Sequence, residues 1–198
     1  MCYGIGIMFD GFDMILVGIG EEFDENEKAL EAYKNLAKAL EGKNWFIVSL
    51  CMDDVIHKAG LDESRIVAPL GGKRFKQCPD ACTHDLFSVD ETVCPNCGKE
   101  LIFNNILAEN YVEEGYLSQW EKQKKWISGT LNKKLLTLDL GTSLRFPQIV
   151  RFPFEKITMI NDKAKLIRVN EKLWQIPAEI STKAESVKQS AVEWLISI

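Results

Sequence analysis

The chain has no apolar run long enough to cross a bilayer, which takes about 20 consecutive apolar residues. It has no internal repeat, no low-complexity linker and no excess of positive charge. The formal net charge of −5 removes any global electrostatic drive toward nucleic acid or an anionic membrane. Residues 1–20 are apolar, but Asp10 and Asp13 interrupt them and no Lys or Arg comes before, so a signal peptide is not expected. Histidine is scarce, with only His57 and His84. Together these absences lead us to expect a soluble, cytoplasmic protein that meets a protein partner or acceptor, not a membrane or nucleic acid. With 198 residues, 46% of them hydrophobic and 27% charged, one domain over 1–198 plus a small insertion can bury a core.

Cysteine, by contrast, is concentrated. Four of six cysteines fall in Cys78-Pro-Asp-Ala-Cys82 and Cys94-Pro-Asn-Cys97. Two close pairs across a short loop have the spacing of a zinc ribbon, in which four thiolates converge tetrahedrally on one ion. Prolines after Cys78 and Cys94, and Gly98 after the last cysteine, suit the knuckle turns. Two disulfides or four unrelated thiols compete with this reading, and the regular spacing favours zinc. Four thiolates would close the coordination shell, so the expected zinc is structural, in an insertion over 77–103. His84 reads as a surface residue. Cys2 and Cys51 read as small buried thiols.

Elsewhere, strand-like and helix-like patterns alternate. Met14–Val17 is a continuous apolar run ending in Gly18-Ile-Gly20. Residues 26–40 read as a helix, with Leu30, Tyr33, Leu36 (or Ala37) and Leu40 on one face, Asn26 at its start and Gly42 at its end. Strands are expected at 45–50, 65–68, 135–140, 156–160 and 166–169. Helices are expected at 53–59, around 113–127, and from about Ala184 to the end. This alternation predicts an α/β fold, a Rossmann-like doubly wound parallel sheet carrying the four-cysteine insertion. Ligands of such sheets bind outside the carboxyl ends of the strands. Here those ends carry Gly18-Ile-Gly20, Ser49 to Asp54, and Gly141-Thr-Ser143.

These stretches, ordered around the cysteine window, resemble the sirtuin family of NAD-consuming enzymes. Val17-Gly-Ile-Gly-Glu-Glu22 falls on the family's T-G-A-G-I-S turn, and Ser49-Leu-Cys-Met-Asp53 with Ala59-Gly60 falls on T-Q-N-I-D…A-G. Pro69-Leu-Gly71 falls on L-H-G, Gly141-Thr-Ser-Leu144 with Pro147 on G-T-S-L…P, and Asn170 on the late I-N. Arg151-Phe-Pro-Phe154 and Tyr111-Val-Glu-Glu114 are similar to segments of the bacterial class encoded beside macrodomain proteins. Ordinary sirtuins remove acyl groups from lysine, and that class transfers ADP-ribose to protein. The resemblance implies an NAD or ADP-ribose site on Gly18, Gly20, Asp53, Gly141, Thr142, Ser143 and Asn170.

Two departures bear on chemistry. Cys51 stands where the family has the asparagine that positions the nicotinamide ribose and the attacking water. Leu70 replaces the histidine general base and accepts no proton, but the macrodomain-linked class also departs at that histidine, so Leu70 alone does not exclude ADP-ribosyl transfer. Glu21, Glu22, Asp24, Glu25 and Glu27 crowd the first glycine turn, where a pyrophosphate should meet neutral or positive groups. The family's cofactor-binding loop is nearly absent between Phe23 and Leu30. Three functions remain open. One is a degenerate sirtuin acting as a binding or regulatory module with a weak nucleotide site and no catalytic residue. Another is an active ADP-ribosyltransferase or deacylase with atypical residues. The last is a zinc-ribbon nucleic-acid module helped by Lys73, Arg74 and Lys76.

Overall fold

A strand buried on both faces reads as a near-continuous apolar run, and five of the strands that build the main sheet are buried along nearly their whole length. A computed structural model describes residues 9–197; Cys2 lies outside them. The strands are β1 (Met14–Ile19), β2 (Trp45–Ser49), β3 (Ile66–Val67), β4 (Gly71–Gln77), β5 (Ile102–Asn105), β6 (Leu135–Leu140), β7 (Ala164–Val169) and β8 (Ala184–Val187). Six form one parallel sheet in the order β3-β2-β1-β6-β7-β8, and β4 and β5 form an antiparallel pair. The helices are α1 (Ala29–Leu40), α2 (Glu114–Ser128), α3 (Arg151–Ile160) and α4 (Ala191–Ser197).

Alternation along the strands splits the core between two faces. Ile15, Val17 and Ile19 of β1 pack with Ile47, Leu138 and Val169 under α1 and α4. Met14 and Leu16 point the other way, with Phe46, Leu135 and Leu166, toward α3 and the half-buried Trp120 and Trp126 of α2. The sheet is therefore doubly wound, as the alternation predicts. β1 is followed by α1 on one face and β6 by α3 on the other, so the strand order reverses between β1 and β6. A crevice opens at this switch point.

The structure corrects three expectations about elements. Residues 156–160 are the end of α3, not a strand. β-branched residues favour a strand locally, but β6 and β7 are parallel neighbours, and joining them needs a crossover of a dozen or more residues. Pro153 sits in the first turn, where it is tolerated, and Arg151, Phe154 and Thr158 supply the buried stripe. Residues 184–187 are a strand, not the start of the last helix, because they pair with Leu166 to Val169. The helix starts only after Ser190, whose Oγ accepts from the Glu193 amide at 3.3 Å. Asn26 does not cap α1 directly: its Oδ1 takes the Lys28 amide at 3.0 Å, and the helix begins at Ala29. Leu30 is half-buried and Ala29 and Ala32 take the core positions, while Gly42 (φ +70°) closes the far end as expected.

The cysteine window hangs from the antiparallel pair: 77–103 starts on the last residue of β4 and ends on the second of β5. Cys78, Phe87, Cys94 and Leu101 form its own small core. No helix among the described residues is long and apolar enough to cross a membrane.

Candidate functional site

Backbone packing builds the crevice. A Cβ on Gly20 would lie 2.1 Å from the Gly141 carbonyl oxygen and 2.3 Å from Thr142 Cα, so only glycine lets the end of β1 meet the end of β6. The Gly20 amide donates to Leu140 O at 2.7 Å. Gly18 lies deeper, where a Cβ would meet Val150 Cγ1 at 2.2 Å, so its small size serves the packing of α3. Gly141 takes φ +67° and turns the chain out of β6.

The structure brings Gly20, Gly141, Thr142, Ser143 and Asn170 together, and their polar groups bond within the chain. Thr142 Oγ1 donates to Asp139 Oδ1 at 2.6 Å. Asn170 Nδ2 donates to Thr142 O at 2.9 Å, while its Oδ1 accepts from the amides of Lys172 and Leu173 at 3.0 and 2.7 Å. The Ser143 amide and hydroxyl both donate to Glu21, at 3.0 and 2.8 Å. Beside them a cavity of about 310 Å³ is lined by Glu22, Thr142, Ser143, Asn170, Lys172 and Ser190.

Asp53 lies at the end of β2, bridged to the crevice by the acidic loop. Its Oδ2 accepts from the Glu25 amide at 2.8 Å, and its Oδ1 accepts from the Val55 amide at 3.1 Å. Asp24 Oδ1 accepts from the Met52 amide at 3.1 Å, and burial raises its carboxyl above the usual range. Residues 21–25 thus lace the ends of β6 and β2 together. Cys51 is 4% exposed and its thiol donates to Gly20 O at 3.2 Å; burial pushes its pKa up to about 12, which removes nucleophilic thiolate. Leu70 is 1% exposed among Val48, Leu50 and Val67. Both residues fill space.

Beneath the crevice runs a buried ionic network that the sequence reading missed. Arg168 and Asp139, register partners on β7 and β6, are fully buried and meet at 2.7 Å. Arg168 also donates to Glu155 and to the Gln175 carbonyl, each at 2.7 Å, and Arg151 donates to the Leu173 carbonyl at 3.0 Å. The network holds residues 170–175 against the sheet and, through Asp139, orients Thr142. A single charge inside each of two apolar strand runs, Leu-Leu-Thr-Leu-Asp-Leu and Leu-Ile-Arg-Val, was its available signal.

The four cysteines converge. Their sulfurs all lie within 4.8 Å of one another, with Cys78–Cys82 at 3.3 Å, and Cys78–Cys97 and Cys82–Cys94 at 3.5 Å. All four are free thiols, too far apart for S–S bonds of about 2.05 Å. Zinc–thiolate bonds of about 2.3 Å put tetrahedral sulfurs about 3.8 Å apart, so the cluster fits a closed four-thiolate metal site. Ala81 (φ +46°) and Gly98 (φ +74°) make the two knuckles, where the Ala81 amide donates to Cys78 O at 3.0 Å and the Gly98 amide to Cys94 O at 2.9 Å. His84 is exposed and bonded to Glu114 at 2.6 Å, outside the cluster.

The basic residues beside the cluster have partners within the chain. Lys73 pairs with Glu25 at 3.3 Å, and Lys76 donates to Glu91 O at 2.8 Å. Arg74 donates to His57 Nδ1 and to Glu63, each at 3.0 Å. This trio borders a second cavity of about 330 Å³ between β4 and α2. Burial and Arg74 hold the His57 pKa down at about 4.

The six-stranded parallel sheet with helices on both faces matches the fold of Sir2 homologues. The chain superposes on a mutant Sir2 homologue in complex with 2′-O-acetyl ADP ribose with a TM-score of 0.62 and 13% identity, covering 99% of this chain and 94% of that one. Two other mutant Sir2 homologues, each in an ADP ribose complex, match with TM-scores of 0.59 and 14% identity over the same shares. Among curated proteins, a protein ADP-ribosyltransferase of Staphylococcus aureus strain Mu50 is 23% identical over 174 aligned residues. That alignment takes in 77% of this chain and 55% of the relative, so the chain spans about half the length of the curated relative it matches. No family model matches the chain. The sirtuin resemblance read in the sequence is borne out in the fold.

Proposed function

We propose that residues 1–198 form one Sir2-type domain, with 77–103 as a zinc-holding insertion, that works as a cytoplasmic binding or regulatory module. It takes an ADP-ribose-type nucleotide weakly and does not turn it over. The observation that carries this reading is the burial of Cys51 and Leu70 where the resemblance calls for a polar pair in contact with the nicotinamide ribose. A thiol protonated at neutral pH and an alkyl group supply neither a base nor a water-positioning amide. A cavity beside Thr142, Ser143 and Asn170 at the switch point supports this reading.

The zinc would be held by Cys78, Cys82, Cys94 and Cys97, and when bound it supplies closed, structural coordination. Reduced thiols in such a cluster accord with a reducing compartment. A second reading, ADP-ribosyl transfer to an acceptor protein, is favoured by the name of the curated relative. The internal pairing of Lys73, Arg74 and Lys76 leaves the nucleic-acid reading without support.

Calorimetric titration of the zinc-loaded chain with NAD and with ADP-ribose tests the proposal, alongside nicotinamide release in the presence of acceptor proteins. Weak binding without release is expected. Nicotinamide release above the uncatalysed rate would overturn it in favour of the transferase.

A further inference from the structure

We propose that Glu21 is the chain's own occupant of the phosphate seat at the switch point, and that it sets the crevice against phosphorylated ligands. The inference rests on the reading that this crevice takes an ADP-ribose-type ligand, and it explains why the affinity is low. The two oxygens of the Glu21 carboxylate accept from the Ser143 amide and the Ser143 hydroxyl, at 3.0 and 2.8 Å. A phosphate would take that same pair of donors with two of its oxygens, because both anions present oxygen acceptors at similar spacing. One ligand oxyanion and the Glu21 carboxylate cannot both hold them.

The residue is also fixed where it stands. Gly20 before it abuts Gly141, and Phe23 after it is fully buried and stacks on Tyr33 with ring centroids 5.2 Å apart. Asp24 and Glu25 tie the loop to Met52 and Asp53. The backbone therefore keeps Glu21 beside Ser143, and a competing phosphate displaces only its side chain. Glu22 adds a second negative charge: its Oε1 accepts from Ser190 Oγ at 2.5 Å, and its side chain lies where a Gly141 Cβ would be, 2.6 Å from Oε2. The adjoining cavity of about 310 Å³ stays open and can receive a nucleoside, so discrimination falls on the phosphates.

The test is calorimetry on the full chain as wild type, Glu21→Gln and Glu21→Ala, titrated with ADP-ribose and with adenosine, a probe without phosphate. The readout is the ratio of ADP-ribose affinity to adenosine affinity. Removal of one negative charge at the seat should raise that ratio about tenfold or more in Glu21→Ala. The rise should be smaller in Glu21→Gln, whose amide oxygen still accepts from Ser143. Glu21→Gln keeps the side-chain shape, so it carries the test if the alanine variant is unstable. An unchanged ratio with both ligands bound overturns the role of Glu21 while the nucleotide site stands. A parallel gain for both ligands also overturns it, because the change would then have opened the crevice and not freed a phosphate seat. Failure of both ligands to bind any of the three folded proteins overturns the nucleotide reading itself, and this inference with it.

Discussion

The cysteine cluster and the switch-point crevice are both places where polar atoms converge, and they differ in where those atoms find partners. Four sulfurs meet within 4.8 Å of one another, so the cluster is shaped for an ion. At the crevice, Gly20, Thr142, Ser143 and Asn170 face one another too, yet their donors go to Leu140, Asp139, Glu21 and Thr142. Convergence brings in a ligand only where the fold leaves the valences unsatisfied, because a saturated donor must lose one bond to gain another. One region of this molecule is built around something to be added, and the other around itself.

The comparison breaks most sharply at the cysteines. Cys94→Ala, or prolonged chelation of the wild type, should lower metal content from near one to near zero per chain and unfold the segment 77–103. Structural zinc sites of this kind contribute on the order of 10 kcal/mol, so elemental analysis and amide exchange should both register the loss. Retained metal in Cys94→Ala would break the four-ligand reading.

A smaller effect is expected beneath the crevice. Asp139→Ala leaves Arg168 charged, fully buried and short of its main partner, and should cost about 3–5 kcal/mol in denaturant unfolding. Asp139→Asn keeps an acceptor for Arg168 without the charge and should cost less. Equal losses in the two variants would mean that the charge, not the hydrogen-bond geometry, holds residues 170–175. Gly20→Ala comes next, at about 1–3 kcal/mol, because its Cβ would press on the Gly141 carbonyl. A neutral result there would show that the crevice is looser than its hydrogen bonds imply.

The smallest effect is a pH dependence. The folded protein holds the His57 pKa at about 4, below the unfolded value near 6.5. Its contribution is therefore complete above about pH 6.5 and is lost as pH falls toward 4, because the unfolded chain takes up the proton first. Asp24 and Asp54, whose carboxyls burial raises, act in the opposite sense, so the readout is the difference between wild type and His57→Asn. Wild type should lose on the order of 1–2 kcal/mol more than the variant between pH 7 and 4. Parallel curves would show that His57 titrates normally.

Much of the fold was legible because its signals are local. Apolar runs at 14–17, 45–50, 135–140 and 166–169 are strands, and the cysteine spacing predicts the convergence that the structure has. The two misread segments fail for one reason. Lys156–Ile160 has β-branched residues that favour a strand, and Ala184–Val187 can continue a helical pattern. In each case the neighbouring strands decide: a crossover was required in the first and an edge partner in the second. The acidic residues after Gly20 stood out in the sequence, but nothing local could say that Glu21 reaches a serine 122 positions away.

Residue order by itself determined the alternating elements, the glycines at the strand ends and the knuckles that gather four thiols, because periodicity and turn chemistry act over a few residues. Only the tertiary structure decided that Leu70 is core, that Arg168 pairs with Asp139, and that Ser143 already donates to a carboxylate. Satisfaction of a buried donor depends on which distant segment packs beside it, and that is settled by the sheet as a whole.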